Sequence, residues 1–232
     1  MPNRIHPSAI IGPGVELGND NVIGPFTVIG GPCQIGNGNW IGPMVSIGTP
    51  AEYRGGPHPV GWEGEIEGGG VVIGNRNTIR ESVTVNQGLH DPTRMGDDCY
   101  LLARSHLGHD VVVDDGVTLS DSAQIGGHTH VWSWVNVGLG AVVHQRGQLG
   151  PGAMIGMGAV VLKEVAPFRT VVGNPSRVVR VNRVGLSRQG CDGAQVDVLE
   201  HYLEHGGDLP AGLPPEMTKQ LTAWQKRTGV EI

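Results

Sequence analysis

An aliphatic residue recurs at every sixth position through most of this chain. From Ile5 the steps land on Ile11, Leu17, Ile23, Ile29, Ile35, Ile41 and Ile47, and each from Ile11 onward is followed by glycine. The ladder resumes at Ile73, Ile79 and Val85. It resumes again at Met95 and runs through Leu101, Leu107, Val113, Leu119, Ile125, Val131, Val137, Val143, Leu149 and Ile155 to Val161. Such a period fits neither an amphipathic helix nor a long alternating strand. It fits hexapeptide repeats, in which each short strand forms one side of a triangular coil and glycines relieve the corners. Three hexads make a coil, so residues eighteen apart stack at about 4.8 Å. The expected fold is all-β, a parallel β-helix. Hexapeptide coils are known as left-handed, against the usual right-handed crossover preference, although the period alone does not fix the hand.

A narrow prism filled by aliphatic ladders explains a composition that would be odd for another fold. Aromatics are only 4% of 232 residues, while the 39 glycines are about twice the ordinary number. The net charge of −6 and the lack of a basic block argue against a nucleic-acid binder. The start "MPNRIHPSAI" lacks the apolar run of a signal peptide, and no stretch approaches a membrane span, so the expected setting is cytoplasmic with no integral membrane segment. Cys33, Cys99 and Cys191 are odd in number and widely spaced; they read as buried small residues, not as a disulfide framework or metal motif.

Two interruptions leave the ladder, and loops on a rigid scaffold often carry function. The first, between Ile47 and Ile73, contains "TPAEYRGGPHPVGWEGEIEGGG"; the second is "QGLHDPTR", 87–94. After Val161 the ladder fades. Val196, Leu199 and Leu203 then fall at helical spacing with Gly206-Gly207 as a stop, and a second helix is expected over 215–227 with Met217, Leu221 and Trp224 on one face. These helices should pack on the prism or on a neighbouring subunit. The division expected is a β-helix domain over 1–184 and a helical segment over 185–232.

Stacking by eighteen brings distant residues together. His109 lies under Gly127 and Gln145, Asp110 under His128, and Gly108 under Gly126 and His144. His109, His128 and His144 therefore collect along one edge of the prism, at near-corner positions that face outward. A histidine can take a proton near neutral pH and a carboxylate can hold its tautomer. Glycines at 126 and 127 let a backbone N–H approach a reacting carbonyl oxygen. A base beside such a donor is what acyl transfer to a hydroxyl requires.

The ladder, together with "IGNRNTIRESVTV", "HLGHD", "IGGH", "VHQ" and "RVNRVGLSR", resembles the UDP-N-acetylglucosamine O-acyltransferases of lipid A biosynthesis, from about Ile5 to about Arg188. That resemblance implies a homotrimer with sites between subunits. Each site moves a fatty acyl group from an acyl carrier protein thioester to the sugar 3-hydroxyl, with no cofactor of its own. It implies His109 as general base, Asp110 as its orienting carboxylate and Gly127 as oxyanion donor. His128 and His144 become substrate-positioning residues, Gln145 a substrate contact and His106 a histidine near the sugar. Asn182 and Arg188 fall where the nucleotide and its phosphates bind, Glu52 and Arg54 where an acid and a base grip substrate, and Met157 where acyl length is controlled. Methionine there, in place of glycine, implies a shorter chain. The sequence departs from the pattern at Asn86, where histidine is usual, at Pro175, and in both loops.

Arg169, Arg177, Arg180, Arg183 and Arg188 crowd into one short tract, a candidate docking surface for phosphates or an acidic carrier protein. Three other readings stay open at this point. One is an acetyl-CoA-dependent nucleotide-sugar acetyltransferase, with acetyl-CoA or acyl-CoA as donor. Another is a zinc hydratase of the carbonic-anhydrase-like type that uses "HTH" at His128 and His130. The last is a non-catalytic scaffold.

Overall fold

The computed structural model describes residues 1–65 and 67–228. Short strands wind into three sheets of ten, eight and seven strands, and neighbouring strands lie three apart in chain order except at the last two pairings of the ten-stranded sheet. Among the described residues the strand pairings along the prism are parallel, and the last pair, Arg169–Val172 with Arg177–Val181, is antiparallel and closes the ten-stranded sheet. The parallel β-helix expected from the ladder is therefore the architecture. Leu107 pairs with Ile125 and Ile125 with Val143, which confirms the eighteen-residue stacking at the centre of the prism. Ile41 pairs with Ile79 and Ile79 with Leu101, so both interruptions rejoin the ladder in phase.

The ladder side chains point inward, and Ile29, Ile41, Ile47, Ile79, Leu101, Leu107, Leu119, Ile125, Leu149 and Ile155 are fully buried. Each such burial is worth about 1.5–3 kcal/mol. The ladder is not the whole core, however. Two residues before many of its members stands a second inward position filled by something smaller: Ala123, Ala141, Ala153, Ala159, Val111 or Thr27. Its polar members bond along the prism axis, as where Asn39 Nδ2 donates to Asn21 Oδ1 at 3.0 Å. Among the described residues, only the first coil leaves ladder residues open, Ile5 most of all.

Glycine serves a different purpose from the one its spacing suggests. The glycine after each ladder residue is seldom in the left-handed region; a Cβ on Gly24 would instead stand 2.7 Å from the Gly42 carbonyl carbon in the next coil. Close approach of backbones is what excludes a side chain there. The corners that do need positive φ lie two residues further on, and many are not glycine: Phe26, Arg104, Asp110, His128 and Trp134 all occupy them.

Helix α1 spans Arg183–Arg188, α2 Gly193–His205 and α3 Pro215–Thr228. α2 and α3 are the two expected helices. α2 opens on a capping box of Asp192 and Gln195 and ends at Gly206. Their apolar faces, Val196, Leu199, Leu203, Met217 and Leu221, pack together over Phe168, Val181 and Leu186. The Trp224 ring meets Trp132 of the prism edge-on at 5.4 Å, so α3 also docks on the solenoid. α1, within the basic tract, was not anticipated. The three cysteines are buried, and burial pushes the Cys33 and Cys99 thiols up to about 12, as small apolar residues require.

Candidate active site

A cleft of about 300 Å³ opens on the eight-stranded face and its edge toward the seven-stranded one, lined by Glu52, His106, His109, Gly127, Val142 and Gln145 among others. Strand His106–Leu107 carries the first histidine outward, and the turn after it carries His109 and Asp110. Asp110 has φ 56°, a left-handed corner that turns its side chain back along the edge. His109 Nδ1 lies 2.7 Å from Asp110 Oδ2. The same carboxylate accepts the backbone N–H groups of Leu89, His90 and Asp91 at 2.9, 3.0 and 3.1 Å. Burial acts to raise the Asp110 pKa, but those donors and the His109 ring outweigh it and hold the carboxyl down at about 2. An ionised Asp110 fixes the His109 proton on Nδ1 and leaves Nε2 as the acceptor.

Nε2 faces Gly127. A Cβ there would stand 2.9 Å from it and 3.1 Å from two ring carbons, so the imidazole lies directly on this glycine. Among the described residues the Gly127 N–H makes no hydrogen bond, and Gly127 lines the cleft. His128 meets His109 edge-on at 4.9 Å; burial lowers its pKa, with Arg146 adding to that and Asp110 opposing it. His106 bridges two partners, Thr84 Oγ1 at 2.8 Å through Nδ1 and Glu52 Oε2 at 3.5 Å through Nε2. Its pKa is lowered by burial, against the pull of Glu52.

The remaining sequence candidates lie elsewhere. His144 is exposed one coil above Gly126, its Nδ1 at 3.0 Å from the Gln145 carbonyl oxygen, and it borders the cleft without lining it. Arg54 is exposed in the first loop. Met157 is 75% exposed at another corner of the prism. Asn182 and Arg188 line a second cleft of about 360 Å³ with Trp134, Thr170 and Arg180, on the ten-stranded face. The Asn182 amide is engaged inside the fold: it accepts from Gly185 N–H at 3.0 Å to cap α1 and donates to the Gly152 carbonyl oxygen at 2.9 Å. The basic tract divides as well. Arg169 donates to the Leu203 carbonyl oxygen and so ties the ten-stranded sheet to α2, while Arg183 pairs with Asp197 and Glu200 and so ties α1 to α2. Arg177, Arg180 and Arg188 carry no ion pair among the described residues.

A metal reading fares poorly on donor count. Ligand atoms of His109, Asp110 and His128 lie within 4.8 Å of one another, but the Asp110 oxygens already accept four donors. His130 does not join His128; its Nε2 sits 3.0 Å from Asp114 Oδ1 and its ring stacks on Trp132, on the seven-stranded face. No helix among the described residues is long and apolar enough to cross a membrane. Asn86, which the sequence marked only as a departure, donates to the Pro50 carbonyl oxygen at 3.0 Å and so pins the first loop beside Glu52.

Residues 3–31 match the family "bacterial transferase hexapeptide (six repeats)". Acyl-[acyl-carrier-protein]–UDP-N-acetylglucosamine O-acyltransferase of Herminiimonas arsenicoxydans is 37% identical over 131 residues, 55% of this chain and 50% of that protein. The enzyme of the same name from Janthinobacterium sp. (strain Marseille) is 35% identical over 152 residues, 64% of this chain and 57% of that protein. The chain thus spans about half the length of the curated relatives it matches. The structure of LpxA from Acinetobacter baumannii superposes with a TM-score of 0.72 at 25% identity, over 95% of this chain and 87% of that one. The resemblance read from the ladder and the histidine segments is borne out.

Proposed function

We propose that this chain is an acyltransferase that moves a fatty acyl group from an acyl carrier protein thioester to a hydroxyl of a UDP-N-acetylglucosamine-like amino sugar. The observation that carries the reading is His109 Nε2, left free by the Asp110 contact, lying against Gly127, whose N–H has no partner among the described residues. In the proposed step Nε2 takes the proton of the sugar hydroxyl as its oxygen attacks the thioester carbonyl carbon. The carbonyl oxygen becomes an oxyanion and accepts from Gly127 N–H. Collapse of the tetrahedral intermediate re-forms the carbonyl and breaks the carbon–sulfur bond, and the imidazolium returns its proton to the departing thiolate. The names of the relatives support the substrates, and Val142, exposed in the same cleft as His109, offers an acyl chain an apolar contact.

The same reading makes the working unit a homotrimer. Glu52, His106, His109 and Gln145 lie in one cleft, Asn182 and Arg188 in another on a different face. One ligand meets both sets when the ten-stranded face of one subunit lies against the eight-stranded face of the next. Arg188 and Arg180 then supply positive charge for phosphates, and Arg177 extends that surface toward an acidic carrier. The test is His109→Ala, assayed by mass detection of acyl transfer to UDP-sugars from carrier thioesters and, in parallel, from acetyl-CoA. Loss of transfer with circular dichroism and assembly state unchanged is expected; retained turnover overturns the assignment of the base.

A further inference from the structure

The second loop does more than bridge a gap in the ladder. It folds back so tightly that a Cβ on Gly88 would stand 1.6 Å from the Asp91 carbonyl oxygen and 3.1 Å from the Thr93 nitrogen. No other residue type can hold that turn. Its outer side is tied to the end of the first loop: Gly88 N–H and Thr93 N–H both donate to the Gly70 carbonyl oxygen, and Gly69 N–H donates to that of Gly88. On its inner side three consecutive N–H groups converge on one carboxylate. Asp110 Oδ1 accepts from His90 and Asp91, and Oδ2 accepts from Leu89 and from His109 Nδ1. The turn and the imidazole therefore share a single group.

We propose that Gly88 and the turn it permits are the positioning element for His109, acting through Asp110. The inference rests on the reading of His109 as the general base. A carboxylate that accepts four donors is fixed in one rotamer, because any rotation sacrifices several charge-assisted bonds at once. Fixed in this way, it selects the tautomer with the proton on Nδ1 and presses the ring against Gly127. A loop that merely closed a gap would need no acceptor from the neighbouring coil. Nor would it need three aligned donors, since exposed turn N–H groups are satisfied by water. Asp110 is only 5% exposed, so without the turn its charge would be both buried and under-bonded. Release of the turn lets water reach Asp110, frees its rotamer, and leaves the imidazole without a fixed orientation.

The test uses the full chain in two forms, Gly88→Ala and an insertion of two glycines after Gly88 that relaxes the turn without a clash. Each is read by steady-state kinetics and by nitrogen NMR of histidine-labelled protein, with His109→Gln used to assign the signal. The expected result is a loss in kcat on the order of 100-fold, as for a reacting group displaced by about 1 Å. The KM for the sugar nucleotide should stay within about twofold, because no substrate contact is removed. The His109 pattern should change from one Nδ1-protonated tautomer to an averaged signal, with the melting temperature of the prism retained. A wild-type tautomer and kcat in either correctly folded variant overturns the proposal. If wild-type protein transfers no acyl group to any UDP-sugar but the tautomer pattern still collapses in both variants, the positioning device stands and the substrate reading falls.

Discussion

Replacing Asp110 by asparagine gives the most quantitative test of how the site is held. The carboxyl sits at about 2 in the folded protein against an ordinary 3.8, a depression that corresponds to about 2.5 kcal/mol in favour of the folded, ionised form. Because the pKa is lowered on folding, this stabilisation is complete above the unfolded value. It fades as the pH falls from near 4 through about 2. Asparagine offers one carbonyl oxygen to the Leu89, His90 and Asp91 N–H groups and turns its own NH₂ toward another of them. At neutral pH the variant should therefore be less stable by roughly 2–3 kcal/mol, the scale of a hydrogen bond to a charged group. Denaturant unfolding of both proteins at intervals from pH 7 to pH 2 should show the gap constant down to about pH 4 and most of it lost at the acid end. A gap that keeps its size from pH 5 to pH 2 would refute the claim that an ionised Asp110 organises the turn. In kinetic terms the same variant should favour the wrong His109 tautomer and lose on the order of 1,000-fold or more in kcat, as when a buried aspartate behind a catalytic histidine becomes asparagine.

Gly127→Ala places a methyl group against the His109 ring, at 2.9 Å from Nε2, and should lower kcat on the order of 100-fold while the melting curve stays close to wild type. Unchanged turnover would mean that Nε2 works elsewhere. Met157→Gly should move the preferred acyl chain toward greater length in a competition assay among carrier thioesters. An unaltered preference removes Met157 from length control.

Much of this was legible in the sequence because a six-residue period is a statement about backbone geometry. Leu107, Ile125 and Val143 had to stack, and that register alone carried His109 beneath Gly127 and Asp110 beneath His128. What the period could not reveal is whatever depends on where a loop or helix goes after it leaves the prism. The turn over Asp110 rests on backbone N–H groups, which no residue type announces; Gly88 was the one sign, and in a chain with 39 glycines it did not stand out. The basic tract was legible only in part, for a related reason. Arg183 faces α2, where Asp197 and Glu200 stand one helical turn apart, so a cation that reads as free along the chain is neutralised in space. The second inward position was visible in "AQI", "AVV" and "AMI", two residues ahead of each ladder residue, but small residues at alternating sites carry little signal beside a strict aliphatic one.

Three of the departures from the resembled pattern, Asn86 and the two loops, fall together once the loops are seen in place. Asn86 stands in the column above which Gly108, Gly126 and His144 follow, and its amide reaches out to the Pro50 carbonyl oxygen instead of into the cleft. That bond sets the start of the first loop, and with it the carboxylate of Glu52 opposite His106. The end of the same loop, at Gly69 and Gly70, is bound to Gly88, whose turn holds Asp110. Glu52 and the N–H groups that hold Asp110 are thus carried by one connected pair of loops, while Asp110 and the histidines sit on the coils. On the proposed reading, substitutions in those loops alter the choice of acceptor sugar without disturbing the register that puts Nε2 on Gly127.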